Sequence, residues 1–325
     1  MDMTLRVDPA RHGELFVDAR DRIAAVLGIA QTDALLLTPG CTSAIASVLL
    51  SLPWQPGDMV LTSAVEHQAM LTPIDALVRH RGVEHHEIAY RPGQPFDLDE
   101  LGDRLATGRV RAVAVTAASN VTGELLPVEA IAAAARDAGA FSLVDAAQSA
   151  GLVHLDLPDL ASDAVAFAGH KGPLAPQGIG GLWVRPGSDI ATPTGYCDLG
   201  SVNLPGAVAM ASSLEWLAST ATHRQRPIDL RRRLFAALRA RNDCTVFGGE
   251  GPSTSAVSLL HARLPVHLAE EHFAAHGIVV RAGRHCAGRA LQGLGAPDGT
   301  IRISFGVFNR EDDVDAVIEA LDATK

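Results

Sequence analysis

Several features are scarce in this sequence, and most of the shortages remove a class of protein. Aromatic residues make up 4% of the chain, while Ala, Gly and Val are used heavily. The four cysteines, Cys41, Cys197, Cys244 and Cys286, are scattered and form no CxxC pair. That pattern is no disulfide framework, and it points to a reducing cytoplasm. Basic residues form no block and the formal net charge is −10, which argues against a nucleic-acid surface. No stretch reaches the roughly 18 consecutive apolar residues of a membrane span. The opening "MDMTLRVDPARHGEL" lacks an apolar core of signal-peptide length. A cytoplasmic protein with neither a membrane nor a nucleic acid as partner is therefore expected.

What is present reads as a globular protein. Apolar residues are 47% and charged residues 20% of 325 positions, enough for one large domain and a smaller one. Helical spacing over 14–28 stops at Gly28. Short strands are expected at 34–38, 58–64, 111–119, 141–147, 164–169 and 180–184. Helices alternate with them at 42–52, 67–82 and 127–139, the last with Pro127 in its first turn. Continuous apolar strands separated by helices predict a mostly parallel sheet covered on both faces, an α/β fold. The texture changes after about residue 222, which divides the chain into 1–222 and 223–325. The second part is expected to be α+β, with strands in "SAVSLLHA", "GIVVRAG" and "TIRISFG". A last helix is expected to begin at Asn309, capped by Asp312. The run "RRR" at 231–233 reads as the wet side of a helix, and the histidines of "HFAAH" as a solvated face with no metal set.

In a sheet of this kind, ligands sit at the carboxyl ends of the strands. The polar residues there are Thr38 to Thr42, Glu66-His67, Ser119-Asn120, Asp145 with Gln148, and His170-Lys171. A lysine withdrawn from bulk water at a strand end is an amine nucleophile suited to an imine with a carbonyl. If the carbonyl is that of pyridoxal phosphate (PLP), three needs follow. Asp145 can supply a carboxylate for the pyridinium nitrogen. The helix start in "TPGCTSAI", with Gly40, Cys41 and Thr42, can cradle the phosphate. His67 can lie over the ring.

Seven blocks in order carry a resemblance: "LTPGCTSAI", "VEHQA", "ASNVTGELLPVEAI", "LVDAAQSAG", "AFAGHKGPLAPQGIGGLWV", "RAGRHCAG" and "TIRISFGVFNREDDVDAVIEAL". From about residue 12 to the C-terminus the chain resembles class V, fold-type I PLP enzymes, and most of all the cysteine desulfurase/selenocysteine lyase group. The resemblance implies a seven-stranded, mostly parallel sheet and a smaller C-terminal α+β domain. It implies that Lys171 holds PLP, Asp145 pairs with the pyridinium nitrogen, and Gln148 bonds the ring hydroxyl. His67 would stack on the ring, with Thr42 and His170 on the phosphate. Asn120 would lie near the ring and the substrate amino group. Arg302 would grip the substrate carboxylate with a bidentate fork. Cys286 would accept sulfur as a persulfide, with Arg281, Arg284 and His285 near enough in sequence to favour its thiolate. A homodimer is implied, in which Ser201 of "LGSVN" reaches the neighbouring subunit's phosphate, together with a sulfur-acceptor protein.

The departures are as informative. Ala168 stands where the family has Ser or Thr, so one phosphate donor is missing. Gly288-Arg289 follows "HCA" where the family has a residue and Pro. The family's N-terminal "DNAAT"-like strand is absent, and the segment after the lysine loop is short. The reading is a desulfurase that turns L-cysteine into L-alanine. The alternatives are another class V reaction on a related amino acid (C–S lyase, epimerase or aminotransferase), and a PLP-binding or sulfur-carrying protein without turnover.

Overall fold

The computed structural model describes residues 9–153, 157–188 and 202–324. Its larger sheet has seven strands: β1 (Leu35–Thr38), β2 (Met59–Ser63), β3 (Glu84–Ile88), β4 (Val110–Thr116), β5 (Phe141–Asp145), β6 (Ala164–Ala168) and β7 (Gly180–Val184). Their order is β1-β7-β6-β5-β4-β2-β3. Only β7 runs antiparallel to its neighbours, and every other pair is parallel. The helices of this part are α1 (Pro9–Val26), α2 (Cys41–Ser51), α3 (Gln68–Arg81), α4 (Leu98–Leu105), α5 (Val128–Asp137) and α6 (Leu204–Ala218).

Side chains alternate across a strand, so each strand feeds two cores. Leu61, Val113, Val115, Val165 and Phe167 join residues of α1, α4, α5 and α6 in one core. Val60, Ala112, Ala114, Ala164, Ala166 and Ala168 join α2 and α3 in the other. Alanine is the commonest strand residue on that second face, with Val60, Leu143 and Leu182 among the larger ones, and α2 packs on it against β5, β6 and β7. Small side chains let a helix axis come close to a sheet, which explains an alanine-rich interior with few aromatic rings.

The second sheet is four-stranded and antiparallel. It comprises β8 (Cys244–Phe247), β9 (Ala256–His261), β10 (Arg281–Gly283) and β11 (Thr300–Ser304), in the order β10-β11-β9-β8. With it go α7 (Ala221–Arg239), α8 (Val266–Ala275), α9 (Gly288–Gly293) and α10 (Glu311–Asp322). Leu234, Phe273, Ile301 and Val317 centre its own core.

The structure corrects the sequence reading in several places. Strand β3, "EHHEI", is a polar edge strand with no apolar run to announce it. Helix α4 and strand β8 are also additions. The expected strand "GIVVRAG" is paired only over Arg281–Gly283, and Val279 is 97% exposed. Helix α10 is capped one residue later than expected, where Asp313 Oδ2 accepts from Arg310 N at 2.9 Å and Asn309 Nδ2 at 2.8 Å. Arg231 is not on a wet face. It is 2% exposed, donates from Nη2 to Gly249 O at 3.1 Å, and lies 4.3 Å over the Phe235 ring. Ser201 and Cys197 lie outside the described residues. Among the described residues, no helix is long and apolar enough to cross a membrane.

The "GIGG" loop has a steric reason. A Cβ at Gly180 would lie 2.5 Å from Phe167 O and 2.9 Å from Gly40 Cα. The antiparallel return of β7 therefore runs directly under the turn that opens α2. Gly180→Ala should cost roughly 1–3 kcal/mol, as overpacking of a filled interior does. Urea unfolding should show a lower midpoint at an unchanged slope, and an equal midpoint would mean that the backbone approach is not tight.

Candidate active site

The carboxyl ends of the parallel strands open onto one cleft of about 740 Å³. Strand β1 delivers the start of α2 and β2 the start of α3. Strand β4 leads to Asn120, β5 ends on Asp145, and β6 runs into His170-Lys171. Cys41, Thr42, His67, Asn120, Asp145, Gln148, His170 and Lys171 all line this cleft. Ser43, Thr116 and Gln177 line it too, and the sequence reading gave them no place. Gln177 precedes the "GIGG" loop and Ser43 follows Thr42 on α2, so both could have been read from neighbours. Lys171 is half-buried, and is one of two lysines in the chain, with Lys325, against twenty-five arginines.

Asp145 is 3% exposed, and its Oδ1 accepts from Ala147 N at 2.8 Å and from the Cys41 thiol at 3.2 Å. Cys41 thus contributes more than the amide expected of it. Burial, and then the Asp145 carboxylate, raise its thiol well above the ordinary range, so it remains an S–H donor. Among the described residues nothing hydrogen-bonds Asp145 Oδ2. At the start of α2, Thr38 Oγ1 and Ser43 Oγ donate to Gly40 O at 3.1 and 2.8 Å. The amides of Cys41, Thr42 and Ser43 are first-turn donors without helical partners, and the helix dipole favours an anion there.

His67 caps α3, and its Nδ1 accepts from Ala69 N at 3.0 Å, which leaves the ring proton on Nε2. Burial lowers its pKa first; Asp145 pulls the other way, and Lys171 and Arg302 push it lower. Its neighbour Glu66 is 1% exposed and accepts from Ser63 Oγ at 2.5 Å and Thr116 N at 2.9 Å through Oε1. Among the described residues no cation meets it and Oε2 has no partner, and burial pushes its carboxyl up to about 8.

The second sheet closes the cleft from the other side. Asn120 Nδ2 donates to His285 O at 2.7 Å, and Gln68 N donates to Cys286 O at 2.8 Å. These two bonds dock an exposed Cys286 between Asn120 and the start of α3. His285 and Cys286 both have positive φ, 51° and 54°. His285 Nε2 lies 2.9 Å from Thr300 Oγ1, and burial, followed by Arg302, presses its pKa down to about 4. It is therefore neutral at neutral pH and cannot be the cation expected beside Cys286. Arg302 is the cation in electrostatic reach of that thiol. It donates to Asn120 O at 2.8 Å and pairs across the strands with Arg281.

These residues fit PLP. Lys171 offers the amine, Asp145 a free carboxylate oxygen, and the α2 N-terminus three amides with Thr42. Two buried atoms in this neighbourhood, Asn120 Oδ1 and Arg302 Nε, lack partners, as expected of groups that wait for a ligand. Ala168 lines the cleft without a donor, so the helix N-terminus carries more of the phosphate's demand. A separate cluster of Asp243, Cys244 and His261 resembles a cation site. There Arg241 already grips Asp243 with two bonds of 2.8 and 2.9 Å.

Comparison with known proteins agrees with this geometry. Residues 9–317 match the family described as aminotransferase class-V. A probable cysteine desulfurase of Pseudomonas aeruginosa is 33% identical, over 94% of this chain and 82% of that protein. The apo cysteine desulfurase of Thermococcus onnurineus NA1 superposes with a TM-score of 0.90 at 25% identity, covering 98% and 88% of the two chains. The cysteine desulfurase CsdA of Escherichia coli gives 0.87 at 27%, covering 100% and 87%. The sheet and helices are those of a fold-type I enzyme.

Glu66 generates a pH-dependent expectation. Its carboxyl ionises near 4.5 ordinarily and at about 8 in the folded protein. Between those values the folded state binds more protons than the unfolded state, so stability is lost as pH rises through the window. Glu66→Gln cannot ionise. Its urea midpoint, relative to the native sequence, should therefore rise from about pH 5 to about pH 9. A difference that is constant with pH would mean that Glu66 is charged throughout.

Proposed function

The chain belongs to the class-V aminotransferase family, and we propose that it is a PLP-dependent cysteine desulfurase that converts L-cysteine to L-alanine and holds the sulfur on Cys286. One observation carries this reading: Cys286 is docked at the mouth of the lysine cleft by Gln68 N and Asn120 Nδ2. A cleft for amino-acid chemistry does not need a thiol at its rim, whereas sulfur transfer does.

Bound at Lys171, PLP withdraws electrons from the substrate's α-carbon. The chain's own residues do the rest. Arg302, with Arg281 beside it, holds the substrate carboxylate, a demand that a planar guanidinium meets with two parallel bonds. The Lys171 amine, once exchanged for the substrate's, takes the α-proton and returns protons to the carbon skeleton. His67 keeps Nε2–H free to donate because Ala69 engages Nδ1. The Cys286 thiolate bonds the substrate sulfur as the C–S bond breaks, and the products are alanine and a Cys286 persulfide. The thiolate is the reactive form of that cysteine. Asp145 would hold the pyridinium nitrogen, Gln148 the ring hydroxyl, and Thr42 and His170 the phosphate.

The same reading includes a cytoplasmic homodimer, Ser201 reaching the partner's phosphate, and an acceptor protein that takes the persulfide sulfur. Its support is the cysteine desulfurase name of the relatives, together with the exposure of Cys286.

Incubation with L-cysteine, with alanine, pyruvate and persulfide measured together, tests the reading. Cys286→Ser should bind PLP and cysteine normally and form no persulfide. Alanine at the native rate from that variant would mean a reaction that bypasses Cys286, and pyruvate would mean C–S elimination. Arg302→Ala should lose ~2–4 kcal/mol of cysteine binding, at least about tenfold, with the cofactor absorbance unchanged. Unaltered kinetics would remove Arg302 from the substrate site.

A further inference from the structure

His285 and Cys286 both occupy the left-handed region, where side chains are disfavoured, so something must hold this turn. Strained backbone of this kind persists only where the surroundings over-determine it. Two of the restraints are the bonds from Gln68 N and Asn120 Nδ2. The third is a side chain. Arg289, in the first turn of α9, donates from Nη2 to Asp75 Oδ1 at 2.7 Å and from Nη1 to Glu87 Oε1 at 3.0 Å. Asp75 belongs to α3 and Glu87 to β3, so one guanidinium bridges two elements of the larger sheet from a turn of the smaller one. His85 Nδ1 lies 3.4 Å from Nη1, and burial, first among its causes, lowers that imidazole's pKa, so it adds no opposing charge.

We propose that Arg289 is a positioning residue for Cys286: its clamp on Asp75 and Glu87 holds the 284–289 turn against α3 and β3 and so fixes the thiol at the cleft. What the fixed thiol does rests on the desulfurase reading; the clamp itself does not. Because the pairs are partly exposed, salt weakens them.

The experiment compares PLP-loaded native protein with Arg289→Ala, Arg289→Lys and the Asp75→Asn/Glu87→Gln double variant. Amide exchange is followed in peptides spanning 66–70 and 283–290, alongside cofactor absorbance, KM for cysteine and the rate of Cys286 persulfide formation. In Arg289→Ala, exchange at both peptides should accelerate several-fold. Persulfide formation should fall roughly tenfold, as misplacement of a reacting group does. Absorbance and KM should hold. The double variant should behave alike, Lys should restore part of the rate, and about 0.5 M salt should move the native protein toward the Ala variant. Unchanged exchange in both Arg289→Ala and the double variant overturns the clamp. So does faster exchange with an unchanged persulfide rate. A native protein that makes neither alanine nor persulfide from cysteine defeats the functional reading instead, and the exchange data still judge the clamp.

Discussion

The close seat of α2 on the alanine face of the sheet is the constraint from which the site follows. Ala164, Ala166 and Ala168 of β6 keep that face shallow where α2 crosses it, and α2 rests there with its N-terminus beside Asp145. The Cys41–Asp145 bond marks how near the two parts come. A larger side chain in this layer would lift the helix and separate the anion-binding end of the cleft from its carboxylate, since close-packed interiors transmit such displacements. Ala168 shows the two sides of this. As a departure from the family it is a lost donor, and as part of the layer it keeps the helix low.

Charge in the cleft is sorted by burial. On the sheet side stands one carboxylate, Asp145, with Glu66 kept protonated and His67 kept neutral around it. Beside Asn120 stands Arg302, carried by the second sheet and paired across its strands with Arg281. Asn120 joins the two sides, donating from Nδ2 to His285 O and accepting at its carbonyl from Arg302 Nη1, so a residue that lines the cleft also ties the smaller sheet to it.

Much of this was legible in the sequence because apolar runs report buried strands and because motif order reports the family. The central strands, the lysine, Asp145, His67 and the cysteine turn all came from such signals. Other features left no trace of that kind. "EHHEI" is polar because it is an edge, and polarity hid the strand. "RRR" gives no sign that Arg231 turns inward onto Phe235 while Arg232 stays out with Asp229. The neutrality of Glu66 and His285 depends on how deeply the fold buries them, which no spacing encodes. The second task of Cys41 requires α2 and β5 to be side by side, a fact of packing alone.

The scarcity of lysine has a consequence for how the protein meets aldehydes in general. Surface ammonium groups are where sugars, lipid-peroxidation products and free pyridoxal ordinarily condense. This chain has replaced them with guanidinium groups, which keep the charge but make poor nucleophiles, and leaves two side-chain amines, Lys171 and Lys325. Imine formation with simple aldehydes therefore has only two side-chain amines to choose from, and one of them lies in the cleft.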